Sequence, residues 1–373
     1  NRLWQPFVAQ WASGHLVVAY GVHLRGKIDM GDIVASISTD NGDTWLPPVP
    51  IFEHSPTGVG RRVAYANPVL YRPPGQEILW CYAMRCPLSY RDSEESELCA
   101  AYSADGGWSW QQVELAVHHH APLITCAGIV AVRADVSGDP SPADAQVSQA
   151  GSSPVERPAA VGFQSGSQTD AIASSRTRYL LPVHNNSIRH DPRGVQDQFV
   201  LESTSLLEWK LAGYVPRPAA VFPHEGNLSA DPQTGTLRIV MRTATAGAKY
   251  DALDTPVAYS AESTDGGRTW SDSVPEPELH NTASKAFYGH AGDGTEVYVY
   301  SPGPRRERKS LRYRVRRPGT DQWGEDRLFY DGDNRNSYPT LLETEPGRFA
   351  AVWDSSNDPD VKRTSIRFGW FSP

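Results

Sequence analysis

The sequence predicts an all-β fold: a six-bladed β-propeller. Three observations carry this. Gly 31, Pro 30, Trp 11 and Tyr 16 in 373 residues describe a chain of many turns between strand-forming segments. A four-residue turn signature occurs three times. An inner-strand pattern occurs six times at a spacing of roughly 60 residues, and fixed-period repeats of this kind mark propellers and related arrays.

The turn signature is S-x-D-x-G-x-x-W. It reads Ser38, Asp40, Gly42, Trp45, then Ser103, Asp105, Gly107, Trp110, then Ser263, Asp265, Gly267, Trp270. An aspartate in a turn accepts backbone N–H groups, and glycine supplies the positive φ that a tight turn requires. The tryptophan is placed to tuck under the turn and pack between neighbouring sheets. Degenerate copies end at Trp209 and Trp323. These aspartates are therefore read as turn residues and not as chemistry.

The second repeat is an inner-strand start, a turn and an apolar strand. The starts are Gln5-Pro6, Asn67-Pro68, Cys126-Ala127-Gly128, Glu225-Gly226, Ser284-Lys285 and Tyr338-Pro339. The apolar strands that follow include Val17-Val18-Ala19-Tyr20, Ile78-Leu79-Trp80 and Val297-Tyr298-Val299-Tyr300. Pro6 and Pro68 are 62 residues apart, and Glu225 and Ser284 are 59 apart, which suits four short strands per unit. The interval from Gly128 to Glu225 is 97 residues. Its excess falls in Ala134–Ser175, rich in Pro, Ser, Ala, Asp and Gly, which reads as a surface loop inserted into the third blade. Residues 1–373 are thus expected to form one propeller domain. The last strand, near Ile366–Phe371, is expected to pair with the first blade and close the ring, hiding the sheet edges.

Composition removes several function classes. The net charge is −8 with no long run of like charge, and the short basic run Arg305, Arg306, Arg308, Lys309 is a local exception, so no nucleic-acid partner is expected. No run of 18 apolar residues is present, and no membrane partner is expected. Cys81, Cys86, Cys99 and Cys126 form no C-x-x-C pair, against a zinc ribbon. Cys81 and Cys99 can be placed across adjacent strands, and free buried thiols fit equally. The triplet His118-His119-His120 is read as a loop or turn feature, because consecutive strand residues face opposite sides and cannot all reach one ion. No metal and no cofactor are expected. The chain begins at Asn1, and the sequons Asn185-Asn186-Ser187 and Asn227-Leu228-Ser229 are short patterns that recur by chance, so secreted and cytoplasmic locations both remain open.

In a propeller the inner-strand starts and the ends of the adjacent strands converge at one mouth of the channel. The polar residues at those places are Gln5, His23, Asp29, Asp32, Asn67, Arg85, His184, Asn185, His224, Glu225, Arg242, Lys285, Arg308 and Tyr338. Gln5, Asn67, Arg85, His184, His224, Arg242 and Arg308 are the candidates for binding a substrate at that mouth.

At this point the chain resembles the sialidase (neuraminidase) superfamily of BNR, or Asp-box, repeat proteins over nearly its whole length. The later half carries the closer likeness, in His224-Glu225-Gly226-Asn227-Leu228, Val240-Met241-Arg242-Thr243, Arg308-Lys309-Ser310-Leu311 and Ser337-Tyr338-Pro339-Thr340-Leu341. The resemblance implies that Tyr338 is a nucleophile and Glu225 its base. It implies that Arg242 and Arg308 fork onto a substrate carboxylate, and that a first-blade aspartate, Asp29 or secondly Asp32, protonates the leaving group. A phenol near pKa 10 needs a partner to accept its proton, so the pair is chemically coherent.

The likeness breaks at the first blade. Sialidases begin it with Arg-Ile-Pro, whereas this chain reads Leu3-Trp4-Gln5-Pro6-Phe7, with Gln5 in place of the arginine. Arg2 lies three residues early, and its side chain is expected to point elsewhere. The chain thus reads as a divergent member, and a sugar other than an ordinary sialoside is expected. Three functions remain. One is a sialidase-like exo-glycosidase on a terminal, acidic sugar. The second is a polysaccharide lyase cleaving uronate glycans by β-elimination, with His184, His224, Tyr338 and Arg242. The third is a non-catalytic glycan-binding propeller, since fold alone does not choose.

Overall fold

A computed structural model describes residues 2–24, 30–55, 63–88, 96–119, 123–125, 127–133, 177–185, 197–219, 221–245, 257–281, 284–302, 308–358 and 363–373. Every regular element among them is a β-strand. The strands form six blades, antiparallel but for one short parallel pairing in the third, whose inner strands are Leu3–Ala12, Val63–Tyr71, Ile124–Thr125, Val221–Ala230, Phe287–His290 and Arg335–Glu345. The first two blades are joined into one eight-stranded sheet by the pairing of Gly31 with Tyr65.

Each blade is stacked between two others, so its middle strands are covered on both faces and read as continuous apolar runs. His15–His23 and Leu79–Pro87 are buried along nearly their whole length. The outermost strands face solvent, as in Val274–His280, where Pro275, Pro277 and two glutamates blunt an exposed sheet edge.

The turn tryptophans pack between successive blades. Trp110 joins the cluster between blades one and two, Trp209 that between two and three, and Trp270 that between three and four. Trp323 does the same between four and five, and Trp45 lies between the last blade and the first. Trp353, from a middle strand, joins the cluster between five and six. The three turns with an aspartate are built alike, each with Ser Oγ and a backbone N–H donating to the aspartate. In the third copy Ser263 Oγ donates to Asp265 Oδ1 at 2.8 Å, Thr269 N donates to the same carboxylate at 2.9 Å, and Trp270 Nε1 donates to Gly267 O at 3.1 Å. The degenerate copy at Trp209 keeps the last bond with no glycine. Leu206 adopts φ 66°, and Trp209 Nε1 donates to its carbonyl at 3.2 Å.

Trp209 is fully buried and edge-on to Tyr82 at 5.5 Å. Trp209→Ala is expected to destabilise the fold by about 3–5 kcal/mol through lost transfer energy and a cavity. A urea midpoint equal to that of the parent protein would show that this seam does not hold the blades together.

Two expectations about the architecture need correction, and one falls outside the described residues. The final strand Ser365–Phe371 pairs along its length with Arg348–Ser356, so it is the third strand of the last blade and not a strand of the first. It closes the ring through side chains instead. Phe368 packs on Trp45 at 5.3 Å and Trp370 Nε1 donates to Asn41 O at 3.2 Å. The ladder goes to the nearest chain neighbour, where a short connection makes pairing entropically cheap. His118 is not in a turn but ends a short strand, Ala116–His118, parallel to Glu208–Tyr214. His118 meets Glu208 at 3.0 Å, His119 stacks on Phe199 at 4.4 Å, and His120 lies outside the described residues. Strand Val130–Arg133 pairs with Thr177–His184, and the stretch between them, which contains Ala134–Ser175, lies outside the described residues. Cys81, Cys86 and Cys99 are buried free thiols, and Cys126 also lies outside.

Candidate active site

The inner strands share a local irregularity that builds the site. Pairing with the second strand breaks between Trp4 and Phe7, between Ala66 and Val69, between His224 and Asn227, and between Ser337 and Thr340. At each break one residue has left-handed backbone: Gln5 at φ 51°, Asn67 at 55°, Glu225 at 50° and Tyr338 at 53°. The next residue is Pro6, Pro68, Gly226 or Pro339. These are β-bulges. They cost ladder bonds and about 1–3 kcal/mol each for left-handed non-glycine backbone. In return they turn four side chains toward the channel.

Side chains from neighbouring blades tie the bulges down. Thr340 Oγ1 donates to Pro6 O at 3.0 Å, and Thr125 Oγ1 to Asn67 O at 2.7 Å. Gly226 N donates to Gln198 Oε1 at 2.9 Å, Asn227 Nδ2 to Ala286 O at 2.9 Å, and Tyr338 N to Ser284 Oγ at 3.1 Å. One backbone group at each bulge is thereby satisfied, as buried polar groups must be. The Asn227 amide of the second sequon is used in this ring.

The bulges converge on one depression lined by Gln5, Asn67, Pro68, Glu225, Lys285 and Tyr338. These residues come from five blades and span more than 330 positions of sequence. Arg242 Nη1 donates to Glu225 Oε2 at 2.6 Å, and both side chains are largely buried. Burial alone pushes the Glu225 carboxyl up, but the Arg242 charge, His224, His184 and the Arg242 hydrogen bond together outweigh it and hold it at about 2. Arg308 lies over the Tyr338 ring, 5.0 Å from its centroid, and Tyr338 meets Trp4 at 5.6 Å.

His184 and His224 are buried neighbours, 5.6 Å apart, with His224 stacked on Phe222. Burial, then the neighbouring imidazole, pushes His184 down to about 3. Burial, then Arg242, pushes His224 down to about 4. Both are neutral at ordinary pH, within electrostatic reach of Glu225, and neither lines the depression. Arg85 does not reach it either. Its guanidinium is held at the rim by Glu97, at 2.7 Å. Asp32 accepts from His54 N at 2.7 Å and lies 2.6 Å from His54 Nδ1, while Asp29 is outside the described residues.

Three contributors stand outside the binding and catalytic candidates read from the sequence, although Lys285 was placed at the channel mouth. Lys285 lines the depression and is buried. Trp4 packs its indole against Tyr338. Asp354 accepts from Ser337 Oγ at 2.7 Å, and burial, opposed by that bond and by Arg335 and Arg308, leaves its carboxyl up at about 6. The one sequence signal for the bulges is the Pro or Gly that follows each site residue.

The pattern of the BNR repeat-like domain matches residues 169–351. No curated protein matches the chain by sequence. Among solved structures, the chain is similar to the Hadza microbial sialidase Hz136, with 15% identity and a TM-score of 0.66 over 99% of this chain. It spans 65% of that protein's length. It is similar to a protein of unknown function from Dyadobacter fermentans, at 16% identity and TM-score 0.65, covering 99% of this chain and 94% of that one. It is also similar to the intramolecular trans-sialidase of Ruminococcus gnavus, at 13% identity and TM-score 0.63, covering 100% and 94%. At these identities the likeness establishes the sialidase-type propeller fold.

Proposed function

We propose that this chain, a BNR-repeat protein with the sialidase-type propeller fold, is an exo-glycosidase that removes a terminal acidic sugar from a glycan or glycoconjugate. The observation that carries this reading is the convergence of Glu225 and Tyr338 in one depression, on bulges of two different blades. Tyr338 is the nucleophile. Its oxygen bonds to the anomeric carbon as the bond to the leaving oxygen breaks. The phenolic proton passes to Glu225, and the leaving oxygen takes a proton from a first-blade aspartate, for which Asp29 is the candidate. Water then reverses the sequence and frees the sugar with retained configuration.

Glu225 stays ionised far below neutral pH, so it acts as a proton acceptor and not a donor. It is a weak base, and transfer is favourable only as the phenol grows acidic during C–O bond formation. Gln5, Asn67 and Lys285 supply hydrogen bonds to sugar hydroxyls. Arg308 supplies positive charge beside Tyr338. The lyase reading would need a base on the lining, and His184 and His224 are buried away from it.

The test is product analysis with aryl glycosides of N-acetylneuraminate and of glucuronate, beside an oligosaccharide in which a uronate carries a sugar on its C4 oxygen. Release of the aryl alcohol with an intact saturated sugar acid is the expected result. Cleavage of the oligosaccharide to a 4,5-unsaturated uronate, with the aryl glycosides untouched, would establish the lyase instead. Saturable binding with no product would make the protein a glycan binder.

A further inference from the structure

Beside Glu225 lies a buried imidazole with one nitrogen unused. His224 and Glu225 are successive residues, and in a regular strand their side chains would face opposite ways. The bulge between His224 and Asn227 breaks that alternation. His224 stands directly across the ladder from Arg242, and Arg242 Nη1 also holds Glu225, at 2.6 Å. Ring, guanidinium and carboxylate are thus gathered in one place and closed from solvent, with His224 only 1% exposed.

The His224 ring is fixed in orientation and in tautomer. It stacks on Phe222 at 4.6 Å, 7° off parallel. Its Nδ1 lies 3.1 Å from Phe222 O. A carbonyl oxygen only accepts, so Nδ1 carries the hydrogen and Nε2 is a bare lone pair. That lone pair is buried and has no hydrogen-bond partner among the described residues. A buried acceptor left without a donor costs free energy, so its place beside a carboxylate of the site calls for a function. The charged and titratable groups about the ring are Glu225, Arg242 and, from the neighbouring blade, His184 at 5.6 Å.

Relative basicity points the same way. Burial opposes ionisation of Glu225, but the Arg242 charge overrides it and holds the carboxyl at about 2. Burial, then Arg242, brings His224 down only to about 4. Of the two acceptors, the imidazole is the more basic.

We propose that His224 is the second acceptor of the proton that the nucleophile releases, taking it at Nε2 from Glu225. The proposal rests on the glycosidase reading for the source of that proton. As the Tyr338 oxygen bonds to the anomeric carbon, the leaving oxygen departs with a proton from the first-blade aspartate. The phenolic proton passes to Glu225 and on to Nε2, which restores the carboxylate and leaves an imidazolium beside it. When water frees the sugar, the proton returns by the same route to the departing phenolate. His224 touches no substrate. It is a positioning residue that acts through Glu225.

Two measurements test this. The first needs no substrate. Nitrogen NMR of the imidazole rings, with the His224 signal identified by its loss in His224→Phe, is expected to show hydrogen on Nδ1 alone at neutral pH and a protonation midpoint near 4. In Glu225→Gln that midpoint is expected to drop by about one pH unit or more, because the carboxylate that favours the imidazolium is gone. The second is the pH profile of kcat/KM on an aryl glycoside. A proton already on the pair blocks the route. His224→Phe keeps the stack on Phe222, and it is expected to move the acid limb to lower pH and to reduce turnover at neutral pH by about 10-fold or more. A residue that merely packs would reduce turnover and leave the limb in place. The proposal is overturned if Nε2 carries the hydrogen at neutral pH, if the midpoint ignores Glu225→Gln, or if the acid limb stays. Should a thermal melt show Glu225→Gln unfolded, the acid limb decides. Failure of the glycosidase reading looks different. A midpoint that follows Glu225 in a protein without turnover keeps the proton-sharing pair and removes the hydrolase, whereas turnover with an unmoved limb keeps the hydrolase and removes the relay.

Discussion

Tyr338→Phe is expected to lower turnover of the true substrate by about 100-fold or more, since it deletes the reacting oxygen and nothing else. Packing should survive. The ring is held by Trp4 at 5.6 Å and by Arg308 at 5.0 Å, and its backbone by the bond from its N–H to Ser284 Oγ. The thermal midpoint is expected to move little, and substrate should still bind. Steady-state kinetics with an aryl glycoside, beside a thermal melt, separates the two quantities. Full activity in Tyr338→Phe would remove this residue from the chemistry and leave the depression as a binding site or a site run by other groups.

Arg242→Ala has the second large effect expected, and it falls on stability as well as activity. The Arg242–Glu225 pair is largely buried, with 11% and 14% of the side chains exposed. Removing one member of such a pair strands the other charge, at a cost of about 3–5 kcal/mol. The pH dependence has a definite sign. In the parent protein the Glu225 carboxyl is held at about 2, below its ordinary value near 4.5, so its contribution to stability is present above that ordinary value and lost as pH falls toward about 2. Without Arg242 burial dominates and the carboxyl rises. The variant is then penalised while Glu225 is ionised and relieved when it is protonated. Denaturant midpoints of parent and variant should lie far apart at neutral pH and converge on acidification. A gap that stays constant with pH would mean that the loss is one of packing and not of charge.

Much of the architecture was legible in the chain because it is local and repeated. Ser263, Asp265, Gly267 and Trp270 close their own turn with their own hydrogen bonds, so four residue types within eight positions suffice to announce it. The six inner-strand starts are equally local, and their spacing sets the number of blades. The last strand was read less well. Ser365–Phe371 has an apolar pattern that fits either neighbour, and only the chain's geometry decides that it pairs with Arg348–Ser356.

The site divides along the same line. By itself the sequence determined that this is a propeller sealed by tryptophans, and that Gln5, Asn67, Glu225 and Tyr338 stand at equivalent points of their blades. What only the tertiary structure decided is where side chains point. Residues at φ near +50° leave the alternation of a strand, so counting by twos cannot say which way Glu225 or Tyr338 faces. Nor can it say that Arg85 spends its charge on Glu97 while Arg242 spends its own on Glu225. Arg2 and Arg335 are 333 residues apart and meet over one indole because the ring closes there. Long flexible side chains take their partners from space, and space is set by the closure of the fold.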